Sequence, residues 1–231
     1  MTNAMVDATQ QRAARVAGLM YLVTMMLGIF SVNFVESDII VPENSAATVS
    51  NIMANELLYR MAVAGEIMMY ALVVLLAWAL YELFKTINQS LALLALLWRL
   101  AEAIIGGGLT VISGLVPLLL LHGETVLEAE HLQFLVRVFL DVRGAGLDVV
   151  LLLIGLGGTI FLYLFWVSRY IPRILAAWGI VTYLSMILLS LISILTPDLS
   201  DSTRMAFYAP GGLFEIIFGL WLLIKGVEAR Q

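Results

Sequence analysis

The sequence predicts an all-α fold, a polytopic integral membrane bundle of six transmembrane helices with both termini cytoplasmic. Three observations carry that expectation. First, 62% of the 231 residues are hydrophobic and 13% charged, with a mean hydropathy of +1.01. A soluble domain is nearer half apolar and a quarter charged, so the surplus needs an apolar solvent around it. Second, the apolar runs have about the length, roughly 20 residues, that crosses a hydrocarbon core about 30 Å thick. Third, the basic residues fall in alternate connections. Together these make residues 1–231 a single transmembrane domain with no room for a soluble enzymatic unit.

The elements follow in order. Met1 to Gln11 is polar, contains Asp7 and lacks a basic leader region, and no small-residue cleavage site follows. The first apolar run, Ala13 to Val35, therefore reads as a retained helix. The second span, Leu57 to Phe84, places Tyr59, Glu66, Tyr70, Ala77 and Tyr81 at spacings of seven and four, hence on one side. The third, Leu91 to Leu121, carries Gly106-Gly107-Gly108 and Pro117 and should bend in its outer half. The fourth, Leu132 to Val167, would be roughly 54 Å long at about 1.5 Å per residue. Its outer third should therefore leave the hydrocarbon, with Gly144-Ala-Gly146 as the expected break and Gly155-Leu-Gly157-Gly158 as a close helix contact. Pro172 stops this helix, and Arg169 and Arg173 pin the turn to an anionic leaflet. The fifth and sixth spans are Ile174 to Leu195 and Phe207 to Ile224. Leu100-Ala-Glu102-Ala-Ile104-Ile-Gly106 echoes Leu213-Phe-Glu215-Ile-Ile217-Phe-Gly219 in an oppositely directed span, the pattern of an inverted repeat.

Orientation comes from the connections. Arg12, Arg15, Lys85, Arg169, Arg173, Lys225 and Arg230 fall on one side, while the other has Arg204 alone among Glu36, Asp38, Glu43, Glu56, Glu124, Glu128, Glu130, Asp198 and Asp201. Basic short loops stay cytoplasmic, which puts both termini inside an inner (plasma) membrane. The lipid bilayer is then the expected partner. Nucleic acid is not, because the net charge is −5 and the basic residues form no block.

Chemistry is bounded by what the chain lacks. Cysteine is absent, which removes disulfides, thiolate metal sites and iron–sulfur clusters. No lysine sits mid-span to hold retinal, and no GxSxG, phosphate-loop or dinucleotide pattern occurs. The outer loop His122 to His131 offers two imidazoles and three carboxylates, but in no spacing typical of a closed site. No cofactor is expected.

The informative residues are the charges inside the spans. Arg60, Arg137, Asp141 and Arg143 lie near outer helix ends and read as interfacial. Arg99 and Glu102 sit roughly 12 and 17 Å deep, and Glu215 lies at a comparable depth. A charge there costs about 2.5–3.5 kcal/mol on insertion scales, so it faces the interior and pairs. Arg99 and Glu102 are three apart and can meet. Glu215 is either a second partner for Arg99 or a separate carboxyl. Glu66 and Asp148 could form a shallower carboxylate layer. The candidate substrate-binding or proton-handling residues are thus Arg99, Glu102, Glu215, Glu66, Tyr70 and Asp148.

These residues belong to a pattern that resembles a known family. Arg15-Val-Ala-Gly18, Val41-Pro42, Trp98-Arg99, Ser168-Arg-Tyr-Ile-Pro-Arg173, Pro197, Glu215 and Trp221-Leu-Leu-Ile-Lys-Gly226 are similar to the bacterial integral membrane proteins grouped as domain of unknown function 4386. The resemblance spans nearly the whole chain and implies a small multi-helix inner-membrane protein, with no reaction attached. Three readings stay open: a small-molecule or proton-linked permease or binding protein, a membrane enzyme acting on a lipid or isoprenoid with Glu66 and Asp148 as acid and base, and a non-catalytic accessory subunit.

Overall fold

In the computed structural model, which describes residues 7–31, 39–41, 44–122, 128–196, 199 and 201–228, the secondary structure is helical throughout. Helix α1 spans Ala8–Ser31, α2 Ser45–Ala54, α3 Glu56–Phe84 and α4 Gln89–Thr110. A π-helical turn at Val111–Leu115 joins α4 to α5, Val116–His122, and then follow α6 Ala129–Ser168, α7 Arg173–Leu195 and α8 Asp201–Ile224. Five stretches are long and apolar enough to cross a bilayer: α1, α3, the α4–α5 run, α6 and α7. The apolar part of α8 is the shorter Pro210–Ile224. Residues 32–35 of the first expected span, together with Glu36, Asp38, Pro42, Glu43, Glu124, Pro197, Asp198 and Arg230, lie outside the described residues, as does the side chain of Asp201.

The long helices form a closed ring in chain order. Helix α1 packs on α3, α3 on α4, α4 on α6, α6 on α7, α7 on α8, and α8 returns to α1. This order excludes the inverted repeat. Superposing α1, α3, α4 on α6, α7, α8 preserves the sense of the ring, whereas a two-fold axis in the membrane plane would reverse it. The echo between α4 and α8 is therefore local likeness at facing positions.

One end of the ring carries both termini and the described basic connections. Gln10 donates to the Tyr170 hydroxyl at 2.9 Å and to Thr86 at 3.2 Å. Gln11 accepts from the Val227 N–H and donates to the Lys225 carbonyl, each at 3.0 Å. We call this the basic end and the opposite one the distal end. Burial pushes the Tyr170 phenol up from its ordinary value, so it stays neutral in this clasp.

The basic half is filled by aromatics. Phe84, Phe161, Phe165, Phe214 and Phe218 are all fully buried. Phe84 meets Phe165 edge-on at 4.6 Å, and Phe165 meets Phe218 at 5.2 Å. A smaller distal cluster joins Ile39, Ile52, Tyr59, Val63, Leu118 and Val136.

Three local features differ from the sequence expectation or refine it. The first connection contains a helix, α2, whose cap Asn44 accepts from the Ala47 N–H at 2.9 Å; Thr48 and Ile52, one turn apart, bury its inner face. Helix α6 runs unbroken for 40 residues, so Gly144-Ala-Gly146 is not a break. A helical glycine costs only about 1 kcal/mol, and the Leu109 side chain packs onto Gly146, where an added Cβ would stand 2.6 Å from it. Where a bend is expected in the third span, the helix passes through a π-helical turn. Pro117 has no N–H to give Ser113, four residues back, and the Tyr59 hydroxyl reaches that carbonyl instead at 3.5 Å.

Close helix approach rests on glycine at one backbone contact in particular. A Cβ on Gly18 of α1 would stand 2.5 Å from the Leu223 nitrogen and 2.7 Å from the Gly219 carbonyl oxygen of α8. Backbone cannot step aside as a side chain can. Gly18→Val should therefore destabilise the purified protein by about 1–3 kcal/mol, read as a lower unfolding temperature in detergent. Gly108→Ala, where nothing lies within 4 Å, should not. Equal stability of the two variants would show that the α1–α8 contact is looser than described.

Candidate functional site

The mid-bundle centre is assembled from four helices. Arg99 Nη1 lies 2.8 Å from Glu102 Oε2, with side chains 7% and 3% exposed. Counted at about 1.5 Å per residue from the basic ends of their helices, Arg99, Tyr183 and Glu215 all lie roughly 14–15 Å in, half the thickness of a hydrocarbon core. Glu215, half-buried, makes no ion pair among the described residues. The Tyr183 hydroxyl stands 3.1 Å from its Oε1 and 3.3 Å from the Tyr21 hydroxyl. A hydroxyl has one proton to give, so the consistent chain is Tyr21 to Tyr183 to Glu215. Glu215 thus bonds a tyrosine while lying in the field of Arg99, between the two expectations for it. Arg99 keeps Nε buried without a hydrogen-bond partner, and Tyr21, Tyr183 and Glu215 all lie within its electrostatic reach.

The glycines of α6 make this arrangement possible. A Cβ on Gly157 would stand 2.9 Å from Arg99 Cγ, and one on Gly158 would stand 2.6 Å from the Tyr183 ring. The expected close contact therefore exists, and at these two positions it seats the polar side chains themselves. Similarly, a Cβ on Gly106 would overlap the Tyr70 ring.

A second polar cluster lies toward the distal end. Arg143 grips both carboxylate oxygens of Glu66, with Nη1 at 2.8 Å from Oε2. Ser31 donates to Oε1, and Thr110 lies 3.2 Å from Oε2. Arg143 is thus an interior residue and not an interfacial one, because α6 continues as packed helix past the expected break and turns this side chain inward. A cavity of about 10 Å³, room for one water, touches Tyr59, Glu66 and Arg143.

Asp148 belongs to a third cluster. Its Oδ2 accepts from Ser193 at 2.7 Å and its Oδ1 faces Arg204 Nη1 at 3.4 Å. Arg204, expected in a loop, sits in the first turn of α8 and reaches back to α6. Glu66 and Asp148 therefore form no shared carboxylate layer, since each is held by its own arginine.

The remaining charges stay at the surface. Arg60 pairs with Glu56 and Arg137 faces Asp141 at 3.6 Å, all substantially exposed. His122 contacts Glu56 at 3.0 Å, whereas His131 faces Glu128 at 3.8 Å. The two imidazoles attend different carboxylates, and no group of three metal-ligating side chains occurs among the described residues.

Sequence reasoning brought Arg99, Glu102, Glu66 and Tyr70 to the interior, and they are buried. It missed Tyr21, Tyr183, Ser31, Thr110 and the inward roles of Arg143 and Arg204. A tyrosine in the middle of a predominantly apolar run was the available signal for the first two.

The chain belongs to the family described as domain of unknown function (DUF4386), whose model matches residues 16–226. No curated protein and no solved structure matches it.

Removing one partner of a buried ion pair strands the other. Arg143→Ala should destabilise the protein by about 3 kcal/mol, and Glu66→Ala by a similar amount. The double variant should recover much of the loss, a coupling read from unfolding in a double-mutant cycle. Simple additivity would mean that the two side chains do not depend on each other.

Proposed function

We propose that this member of the DUF4386 family is a six-span inner-membrane protein with both termini cytoplasmic, a proton-linked permease or small-molecule-binding protein whose working centre is Arg99, Glu102 and Glu215. The observation that carries the reading is a charge mismatch. Two carboxylates and one guanidinium meet halfway through the bundle: Arg99 pairs closely with Glu102, while Glu215 takes a hydrogen bond from a tyrosine and shares the field of the same arginine. Neutrality at that depth requires one proton more than the ion pair supplies, and a charge left bare in hydrocarbon is costly. A centre of this composition changes charge when it gains or loses that proton.

The other two readings find less support. An enzyme using Glu66 and Asp148 together needs both near one substrate, and each has its own arginine in a separate cluster. An accessory subunit needs a self-satisfied interior, whereas Arg99 Nε is orphaned and one guanidinium faces two carboxylates.

The orientation rests on the basic end, where Arg12 and Arg15 lie in the first turns of α1, Arg173 opens α7, and Lys85, Arg169 and Lys225 follow the ends of their helices. Arg173 also stacks over Trp166 at 5.6 Å, an arrangement suited to a headgroup layer. The sixth span is the apolar part of α8, short but flanked on the distal side by polar helix.

Two measurements test this. Because the chain has no cysteine, single cysteines need no background removal. A cysteine replacing His131 should react with an impermeant maleimide in intact cells, and one replacing Thr86 only after lysis; the reverse pattern overturns the orientation. Infrared difference spectra between alkaline and acidic buffer should show a carboxylic-acid C=O band that Glu215→Gln removes. A band unchanged in that variant would end the proton-handling role of Glu215.

A further inference from the structure

We propose that Tyr183 is the positioning residue that sets the pH at which Glu215 takes up its proton, and that Tyr21 acts on Glu215 only through Tyr183. This rests on the proton-linked reading of the centre and adds what tunes it.

Tyr183 is seated so that little besides its O–H can turn. Its ring lies against α6 at Gly158, where an added Cβ would stand within 2.7 Å of three ring atoms. On another side it meets Phe214 edge-on at 6.1 Å. One turn earlier on α6, a Cβ on Gly155 would stand 2.8 Å from the Tyr183 backbone carbonyl oxygen, so both the ring and the backbone of this residue are pressed against glycine. No surface of Tyr183 is exposed. From this seat the hydroxyl joins two other helices, at 3.1 Å from Glu215 Oε1 on α8 and 3.3 Å from the Tyr21 hydroxyl on α1. Tyr21 is held similarly, 3% exposed with its ring edge-on to Phe218 at 5.2 Å. Among the described residues the Tyr21 hydroxyl bonds Tyr183 and not Glu215.

The charge of the acceptor gives this arrangement its effect. A hydrogen bond to an ionised group is about twice as strong as one between neutral groups, so a hydroxyl that donates to Glu215 favours its carboxylate form over its acid form. Tyr21 contributes at one remove. By donating to Tyr183 it polarises the O–H that Tyr183 gives, strengthening that bond by roughly 10–30%.

The other charged groups that act on Glu215 at this level are Arg99 and Glu102 of α4. Helix α6 presents Gly157 and Gly158 there. Among the described residues neither Arg99 nor Glu102 hydrogen-bonds Glu215, so their field remains when the tyrosine hydroxyls are removed.

The test steps the pH of the full chain in detergent and reads the midpoint at which the carboxylic-acid infrared band appears. Tyr183→Phe removes the donor that favours the carboxylate, so the acid form should persist to higher pH. The midpoint should rise by about one unit, a tenfold change in proton affinity, with the band's amplitude kept. Gly158→Ala, whose Cβ displaces the Tyr183 ring, should shift it the same way, so the outcome does not depend on one substitution. Tyr21→Phe should raise the midpoint by roughly a third as much or less, and adding it to Tyr183→Phe should change nothing further. A wild-type midpoint in both Tyr183→Phe and Gly158→Ala overturns the role of Tyr183. A Tyr21→Phe shift that persists undiminished in the Tyr183→Phe background overturns its action through Tyr183. Failure of the underlying reading looks different: the band then persists at full amplitude in Glu215→Gln.

Discussion

A guanidinium buried halfway along an apolar helical bundle is the constraint on which the rest of this structure depends. Arg99 is 6% exposed, so the fold must bring it a carboxylate, and α4 supplies Glu102 three residues away. That local solution has consequences for four other helices. Helix α6 must give up its side chain at Gly157 to admit the arginine stem, and at Gly158 to admit Tyr183. Tyr183 in turn bonds Glu215 of α8 and stands beside Tyr21 of α1. The ring therefore closes around a polar centre as well as around an apolar core, and its register is set by groups that have few alternatives in a dry interior.

Polar groups are distributed unevenly along the bundle axis. Toward the distal end, two further arginine–carboxylate pairs tie α3 to α6 and α6 to α8. Toward the basic end, the helices are joined by face-to-edge phenyl rings and by the Gln10 and Gln11 clasps. Phenyl packing tolerates no water, while each ion pair keeps some polar surface near it. The same chain thus builds one half tied by ion pairs and another tied by aromatic packing and amide clasps.

How much of this was legible in the sequence follows from the same physics. Helix positions were legible because apolar length is a one-dimensional property, and the stripe Tyr59, Glu66, Tyr70, Ala77 and Tyr81 was legible because one helix face has a fixed period; the first four are buried and Tyr81 half-buried. The Arg99–Glu102 pair was legible for the same reason. Partners on different helices were not. Nothing local marks Arg143 as the mate of Glu66, 77 positions away, and its place near the outer end of an apolar run argued for the interface. The break expected at Gly144 to Gly146 failed because glycine only weakens a helix, and the neighbouring Leu109 side chain fills the space that makes it pack. Helix α2 was missed because ten residues with a single capping asparagine carry little periodic signal.

The two helices that supply the centre's carboxylates are also the two whose hydrogen-bond ladders are interrupted within the helix. In α4 the interruption is the π-helical turn at Val111–Leu115, followed by Pro117; in α8 it is Pro210. Both lie on the distal side of their carboxylates, by about three turns and one and a half turns. Kinks and π-turns are where a helix bends at least cost. Because α4 and α8 stand on opposite sides of the ring, bending at these points moves the distal halves relative to each other and leaves the aromatic basic half in place. The chain's proline use follows the same division: each long helix other than α4–α5 and α8 is free of internal proline, so the weak points of the backbone lie in the pair of helices that carry Glu102 and Glu215.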